Sequence, residues 1–374
     1  MNIKELANPG ALKVTPYVPG RSVAEVQQEY GLSEVIKLAS NESALGVPKE
    51  AVEALKQAAE RLSIYPDPVS TRLRTRLGEL HGCDSACVTV SNGADGVIYE
   101  LAMAVIREGD ECVYPKTTFP IYENVVKIMR GVPVITPMDG HRIDLAALLK
   151  AVTKKTKLLF LTNPNNPTGH IFKAEEIRTF LKEVPSEVLV VLDEAYIDFA
   201  PPGADPKAVE LLTGGMDNLM ILRTFSKIYG LAGIRVGYGL AHKDLVHLIH
   251  SIKPPFAVSE AAESMALAAL DNKDFPRRVV EDVAASRDYF YRMLDQRGID
   301  YVPSATNFIL LDVKRDAKAF TEGLLRRGVI VRSAVGYGLP TCIRVTFGTR
   351  EENETFFHAL DEVMEETAAG VGRS

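Results

Sequence analysis

The chain has 374 residues, of which 46% are hydrophobic and 25% charged, and its formal net charge is -6. This length suits roughly two domains with a sizeable buried core. The negative net charge gives no basic face for phosphate backbones, so nucleic acid is not an expected partner.

The start of the chain, MNIKELANPG, carries charges where a signal peptide needs an apolar run. No later stretch approaches about 18 consecutive apolar residues, so we expect no membrane partner. Four cysteines are scattered with no CxxC pair: Cys83, Cys87, Cys112 and Cys342. We interpret them as reduced thiols of a cytoplasmic protein. His247 and His250 could share a helical face, but they lack acidic or cysteine partners nearby, so no metal site is predicted.

The first 30 residues show no strong periodicity, and they contain several residues that disfavour regular structure: Pro9, Pro16, Pro19 and Gly20. We therefore predict an extended N-terminal arm over residues 1–30. The regular patterns that follow divide into a large domain at about 31–274 and a small domain at about 275–374.

The large domain alternates short apolar runs with helical patterns from about Cys87 onward. CVTV precedes ADGVIYELAMAVI, ECVY precedes a helix near Ile121 to Met129, and KLLFLT precedes AEEIRTFLKEV. The runs LVVLD, LMILRT and IRVGYGLA follow. Strands that alternate with helices predict an α/β fold in which a mostly parallel sheet is covered on both faces.

The small domain begins near Phe275 with a long helical stretch, PRRVVEDVAASRDYFYRMLDQRG, which we expect to end at Gly298. The predicted strands NFILLDV, VIVR and CIRVTFG follow, together with the helical patterns DAKAFTEGLLRR and NETFFHALDEVMEE. This order predicts a smaller α+β unit.

Polar residues follow four of the predicted strands of the large domain, and parallel sheets bind ligands at these strand ends. CVTV runs into SNGADG, where Ala94 and Asp95 begin a helix whose N–H groups could meet a phosphate. This junction is common and weak evidence by itself. The chain has no G-x-G-x-x-G or Walker A sequence, so a nucleotide-binding Rossmann protein is disfavoured.

The other three strand ends carry an amide, a carboxylate and a lysine. KLLFLT ends in NPNNPTG with Asn166, and VLVVLD ends at Asp193, three residues before Tyr196. LMILRT ends in TFSKIYGLAGIRVGY, which contains Thr224, Ser226, Lys227 and Arg235. Each residue alone could belong to a turn, a helix cap or a solvated surface. Together they match the groups that a pyridoxal ring requires.

Pyridoxal 5′-phosphate (PLP) makes these requirements specific. Its aldehyde condenses with an amine, which Lys227 can supply. Its ring nitrogen needs a carboxylate such as Asp193 to stay protonated. Its ring hydroxyl needs a donor, for which Asn166 and Tyr196 are candidates. Its phosphate needs a cation and small donors, and three candidates flank the lysine: Thr224, Ser226 and Arg235.

The motifs NNPTG, DEAY and SKxxGLAGIRVGY resemble, in order and spacing, those of the fold-type I PLP aminotransferases. The resemblance runs over nearly the whole chain and implies that fold. It also implies that Lys227 carries PLP covalently and shuttles a proton, with Asp193 on the ring nitrogen. Asn166 and Tyr196 would hold the ring oxygen. Around the phosphate the resemblance places Ala94, Asp95, Thr224, Ser226 and Arg235.

Two aromatic residues extend this resemblance. Tyr65, in IYPDP, looks like the tyrosine that crosses a subunit interface to the neighbouring phosphate, which implies a homodimer with composite active sites. Phe119 stands where the family places an aromatic ring, often tyrosine, that stacks on the cofactor. A phenylalanine there has no hydroxyl to donate.

The N-terminal TPYVPGR and LASNESALG are similar to the arm and loop of the histidinol-phosphate aminotransferase subfamily, although Ser43 and Ala44 replace its common Asn-Pro. In the wider family, the arginine at the position of Arg344 binds substrate carboxylates. The resemblance implies that Arg332, Arg344 and Tyr17 meet the phosphate of histidinol phosphate. Glutamate, formed from 2-oxoglutarate, would use the same arginine. Arg332 and Arg344 could instead be ordinary charged surface residues without a ligand. Both lie in otherwise apolar runs, where a guanidinium needs an anionic partner.

Three alternatives stay open on the sequence. An aromatic amino-acid aminotransferase would use the same residues around a different pocket. A PLP decarboxylase of a phosphorylated amino acid would also need arginines. A PLP-binding regulatory module without turnover usually carries a DNA-binding extension, for which we expect no part of this chain to remain.

Overall fold

The computed structural model describes residues 2–14 and 20–371, so the predicted substrate residue Tyr17 lies outside the described residues. Its α-helices are α1 (Ile3–Leu6), α2 (Val23–Tyr30), α3 (Lys49–Ala59), α4 (Thr71–His81), α5 (Gly93–Val105), α6 (Ile121–Ile128), α7 (Leu145–Lys150), α8 (Ala174–Glu183), α9 (Ala208–Thr213), α10 (Lys243–Ile252), α11 (Glu260–Asp271), α12 (Asp274–Asp295), α13 (Ala317–Leu325) and α14 (Arg350–Val371). In the described part of the chain, none of the helices combines the length and the apolar character needed to cross a membrane.

Within the described residues, the strands form two main sheets and two short pairs. They are β1 (Ile36–Lys37), β2 (Val88–Asn92), β3 (Glu111–Pro115), β4 (Val132–Thr136), β5 (Met138–Asp139), β6 (Arg142–Ile143), β7 (Thr156–Thr162), β8 (Leu189–Asp193), β9 (Leu219–Thr224), β10 (Val236–Ala241), β11 (Asp300–Val302), β12 (Phe308–Asp312), β13 (Val329–Ile330), β14 (Arg332–Ser333) and β15 (Cys342–Thr346).

The large sheet has seven strands in the order β2-β10-β9-β8-β7-β3-β4. Only β10 runs antiparallel to its neighbours β2 and β9, while the other pairings are parallel. Successive residues of β7 pack on opposite faces, because Leu159 and Leu161 belong to one buried cluster and Leu158 and Phe160 to another. Two covered faces explain the continuous apolar run, and the predicted α/β fold with a mostly parallel sheet is confirmed.

The functional strand ends meet at one edge of this sheet. Thr162 at the end of β7 is in register with Asp193, and Asp193 is in register with Leu222 of β9. Because β10 is antiparallel, its first residue, Val236, lies opposite Asn92 at the end of β2. Arg235 directly precedes β10, so it lies at the same edge of the sheet, although it comes before its strand and not after it.

The smaller unit is an antiparallel sheet in the order β11-β12-β15-β14, packed against α12, α13 and α14. Its core includes Phe290, Phe308 and Phe356, all fully buried. The predicted strand VIVR is divided, because β13 pairs with β1 while β14 pairs with β15. Helix α12 ends at Asp295, three residues before the predicted Gly298, which has a φ of 62°.

The N-terminal segment differs from the extended arm that we predicted. Residues 23–30 form α2, because Ser22 and Glu25 make a reciprocal capping box and Gly31 ends the helix in a left-handed conformation. Val26 of this helix is fully buried in a cluster with Ile330 of β13. The expectation of extended structure is therefore wrong for these residues. The domain boundaries after residues 30 and 274 stay predictions.

Candidate active site

The strand ends of the large sheet line a cavity of about 460 Å³. Of the predicted site residues that the structure describes, all but Tyr65 line it: Ala94, Asp95, Phe119, Asn166, Asp193, Tyr196, Thr224, Ser226, Lys227, Arg235, Arg332 and Arg344. A larger open depression of about 590 Å³, between α7 and α8, contains none of them. We place the candidate active site in the first cavity, because it alone gathers this chemistry.

One end of the cavity is built to receive an anion. Arg235 donates from Nη1 to Ser226 Oγ at 3.4 Å and from Nη2 to Asp95 Oδ2 at 3.3 Å. Gly93 has a φ of 75°, which favours glycine, and a Cβ there would lie 2.5 Å from Nη2 of Arg235, so a larger residue would displace the guanidinium. Asn92 makes no side-chain cap, and the N–H of Gly93 donates to the backbone oxygen of Arg235 at 3.1 Å. The N–H groups of Ala94 and Asp95, which follow in α5, are the helix-start donors that could meet a phosphate.

Lys227 lines the cavity. Its Nζ donates to the backbone oxygens of Ser40 at 3.2 Å and Asn41 at 3.1 Å. Burial, reinforced by the positive charge of Arg344, lowers the pKa of Lys227 to about 8. A substantial fraction of the amine is therefore neutral near physiological pH, and the neutral form is the nucleophile.

Asp193 is a buried carboxylate with two donors. Tyr122 donates from Oη to Asp193 Oδ2 at 2.6 Å, and the backbone N–H of Ala195 donates to Oδ1 at 3.0 Å. Burial raises the pKa of Asp193 to about 6, and the bond from Tyr122 opposes this shift. Tyr122 Oη also lies 2.8 Å from Thr162 Oγ1. The carboxylate is thus held in one orientation, and a cationic partner would stabilise its charged form.

Two groups that could serve a ring oxygen lie near Lys227. Tyr196 Oη accepts a hydrogen bond from Asn41 Nδ2 at 2.8 Å. Asn166 Oδ1 accepts from Arg344 Nη1 at 2.5 Å, so its amide NH₂ is the end left to donate. Phe119 lines the cavity and packs edge-on against Tyr122, with ring centroids 5.8 Å apart.

Arg344 is a buried cation without an ion pair among the described residues. Only 5% of it is exposed, and its Nη2 donates to the backbone oxygen of Ala39 at 2.9 Å. Its Nε has no hydrogen-bond partner within the described ranges. Arg332 lines the same cavity and is in register with Arg344 across β14 and β15. A buried guanidinium with an unused donor favours an anionic ligand.

Tyr65 is the predicted residue that the single chain does not bring to the cavity. It is 80% exposed, and its ring stacks on Phe256 with centroids 4.7 Å apart. Tyr65 is not among the residues that line the cavity.

Sequence reasoning missed three side chains that organise the site. Tyr122 binds Asp193, Asn41 binds Tyr196, and Tyr337 Oη lies 3.5 Å from Arg344 Nη1. Tyr122 follows Phe119 by three residues, a spacing that places both near one helix start. Nothing in the local pattern around Asn41 or Tyr337 indicates a partner so distant in the chain.

Comparisons with known proteins agree with this geometry. Residues 33–360 match the family model described as aminotransferase class I and II. The chain is 42% identical to a histidinol-phosphate aminotransferase of Moorella thermoacetica, over 94% of this chain and 92% of that protein. It is 41% identical to histidinol-phosphate aminotransferase 2 of Carboxydothermus hydrogenoformans, over 94% and 97%. The structure of the Sinorhizobium meliloti histidinol-phosphate aminotransferase in complex with pyridoxal-5′-phosphate superposes with a TM-score of 0.88 at 30% identity, covering 96% of this chain and 97% of that one.

Proposed function

The chain belongs to the class I and II aminotransferases, and we propose that it transfers an amino group between histidinol phosphate and the 2-oxoglutarate/glutamate pair in histidine biosynthesis. PLP is its cofactor. The observation that carries this function is that Lys227, Asp193, Arg235 and Arg344 line one cavity. Arg235 would bind the phosphate of the cofactor, and Arg344 would bind a second anion, that of the substrate. Relatives at about 40% identity over most of the chain support histidinol phosphate as the substrate.

The residues of the cavity fit PLP from end to end. The cup formed by Arg235, Ser226 and the start of α5 suits the phosphate, with Thr224, Ala94 and Asp95 beside it. Asp193 would pair with the ring nitrogen, and Phe119 would stack on the ring. When bound, PLP supplies an electron sink that stabilises negative charge on the carbon next to the substrate nitrogen.

Lys227 has two tasks in this proposal. Its lowered pKa of about 8 makes the free amine available to hold the cofactor covalently. When free, the same amine would take the proton from the substrate carbon and return it. The backbone oxygens of Ser40 and Asn41 hold the released Nζ, as they do in the structure.

Asp193 would keep the ring nitrogen protonated through each half-reaction. Its carboxylate is held in one orientation by Tyr122 and by the N–H of Ala195. Tyr196 and the free amide end of Asn166 would donate to the ring oxygen. These contacts matter most as charge develops on the ring, which is the differential stabilisation that catalysis requires.

Substrate anions would be bound by Arg344 and Arg332, with Tyr17 of the N-terminal segment as a third donor. The unpaired Nε of Arg344 supports this assignment. Both substrates place an anion on the cavity arginines: histidinol phosphate its phosphate and glutamate its carboxylate. A single pair of guanidinium groups can accept both, since each ligand presents oxygen pairs to a forked donor.

We also propose a cytoplasmic homodimer in which Tyr65 reaches the phosphate of the partner subunit. The exposure of Tyr65, and the exposed Ile64 beside it, support a contact with a second copy. The scattered free cysteines support the cytoplasmic location. The large domain of residues 31–274 and the small domain of 275–374 remain part of this proposal.

The substrate is tested by single-turnover absorption measurements on the PLP-loaded protein. We expect histidinol phosphate to convert the cofactor from its aldehyde form to its amine form faster than phenylalanine does at equal concentration. Glutamate should also carry out this conversion. Lys227→Ala is the control, and borohydride should label the peptide that contains Lys227 in the wild type only. Faster conversion by phenylalanine would replace this proposal with an aromatic aminotransferase. Labelling of another lysine would contradict the cofactor assignment.

A further inference from the structure

The hydroxyl of Tyr196 is the end of a hydrogen-bond chain that begins at Thr346. Thr346 Oγ1 donates to Asn41 Oδ1 at 3.2 Å, and Asn41 Nδ2 donates to Tyr196 Oη at 2.8 Å. We propose that Asn41 and Thr346 are positioning residues, which orient the Tyr196 hydroxyl so that its proton is donated into the cofactor cavity. This inference rests on the proposed function, because it assumes that PLP is bound with its ring oxygen near Tyr196.

In this series of hydrogen bonds, the donor of each bond is determined by the preceding bond. The backbone N–H of Asn41 donates to Thr346 Oγ1 at 2.9 Å, so the hydroxyl proton of Thr346 must point elsewhere. The acceptor within reach is Asn41 Oδ1. This contact fixes the orientation of the side-chain amide and turns Nδ2 toward Tyr196.

An amide nitrogen can only donate, so the Tyr196 oxygen acts as the acceptor in this pair. The phenol then has one proton of its own left to donate. Within the described residues, no acceptor for that proton is found, and Tyr196 lines the cavity. The hydroxyl of Tyr196 is therefore free to donate its proton to an oxygen of the cofactor ring. Burial raises the pKa of Tyr196 to about 12, so the phenol remains a donor at neutral pH.

The backbone holds this chain in place. Asn41 has a φ of 56°, a left-handed conformation that asparagine tolerates better than most residues. Its backbone oxygen accepts from Lys227 Nζ at 3.1 Å and from Asn307 Nδ2 at 3.0 Å. Thr346 is held in β15, where its N–H donates to the backbone oxygen of Leu38 at 2.8 Å. One residue thus orients both the amine and the phenol of the site.

The test is a pH titration of the cofactor absorption in PLP-loaded protein. Donation from Tyr196 to the ring oxygen stabilises the deprotonated form of the bound cofactor, so a weaker donor raises the pH of the transition. Thr346→Val is nearly isosteric and removes the hydroxyl. We expect it to raise the transition by about 0.5 to 1 pH unit, roughly three- to tenfold in proton affinity. Thr346→Ser keeps the hydroxyl and should titrate like the wild type.

A double-mutant comparison separates positioning from a general structural effect. Tyr196→Phe should raise the transition, and adding Thr346→Val in that background should then produce no further shift. An equal shift in both backgrounds would overturn the inference while leaving the proposed function intact. If Tyr196→Phe itself leaves the transition unchanged, the role proposed for Tyr196 fails as well.

A second variant protects the test against misfolding of Thr346→Val, which thermal denaturation would reveal. Asn41→Gly permits the left-handed backbone and removes the amide that contacts Tyr196. We expect the same upward shift of the transition, again absent in the Tyr196→Phe background. A folded Asn41→Gly protein that titrates like the wild type would overturn the inference.

Discussion

Replacing Arg344 by lysine tests the anion site while keeping its positive charge. The guanidinium uses Nη1 on Asn166 and Nη2 on Ala39, and its buried Nε has no hydrogen-bond partner within the described residues. A lysine at this position cannot keep both protein contacts and also present a fork to the substrate. A hydrogen bond to a charged group contributes about 1.5–3 kcal/mol. The expected loss is therefore roughly ten- to a hundredfold in kcat/KM, for histidinol phosphate and for glutamate alike.

The assay is steady-state kinetics with both substrates. Arg326→Lys is a matched control, because Arg326 is exposed on the surface near α13 and pairs with Glu322. A second readout uses Arg344→Gln, which removes the charge that lowers the pKa of Lys227. The pKa of Lys227 should then rise from about 8 toward its ordinary 10.5, and apoprotein should take up PLP efficiently only at higher pH. Unchanged kcat/KM in Arg344→Lys, or loss with one substrate only, would refute a shared anion site.

The remaining predictions concern the ring partner, the assembly and the N-terminal segment. Asp193→Asn should lower turnover at least tenfold with PLP still bound, about 1.4 kcal/mol in barrier, and a smaller loss would exclude Asp193 as the ring partner. Tyr122→Phe removes a bond that lowers the pKa of Asp193, so the acidic limb of the kcat profile should move to higher pH; an unmoved limb would contradict the contact. Mixing Lys227→Ala with Tyr65→Ala subunits should regenerate activity, whereas a fully active monomer would rule out composite sites. Tyr17→Phe should impair histidinol phosphate more than glutamate, and equal effects would remove Tyr17 from the phosphate site.

The sheet and its functional edge could be predicted because their signals are local. A strand buried on both faces is a short apolar run, and the run ends where the chain leaves the core. Asn166, Asp193 and Lys227 each follow such a run, so their convergence follows from the geometry of parallel strands. The sequence does not predict that β10 is antiparallel, because an apolar run has the same pattern in either strand direction.

The missed features depend on contacts between distant parts of the chain. Asn41 and Thr346 are 305 residues apart, and Tyr122 and Asp193 are 71 apart, so neither pairing leaves a local pattern. The same is true of β1, a two-residue strand that exists because β13 pairs with it. Helix α2 is a different case, because its capping residues are a local signal for a helix. The nearby prolines and glycine favour extended structure, and the prediction for residues 1–30 followed them.

The position of Arg344 links substrate binding to the basicity of Lys227. The pKa of Lys227 is lowered first by burial and next by the charge of Arg344. An anion bound to Arg344 offsets that charge and should therefore raise the pKa of the free amine. The lysine would thus be a poorer base while the site awaits substrate and a better one once the anion is bound. Since Arg344 also donates to Asn166, which would face the ring oxygen, the same contact orients the group that holds the cofactor. A lysine in place of Arg344 retains the charge and loses the fork, while glutamine loses the charge. The two variants therefore separate the electrostatic contribution of Arg344 from its geometric one.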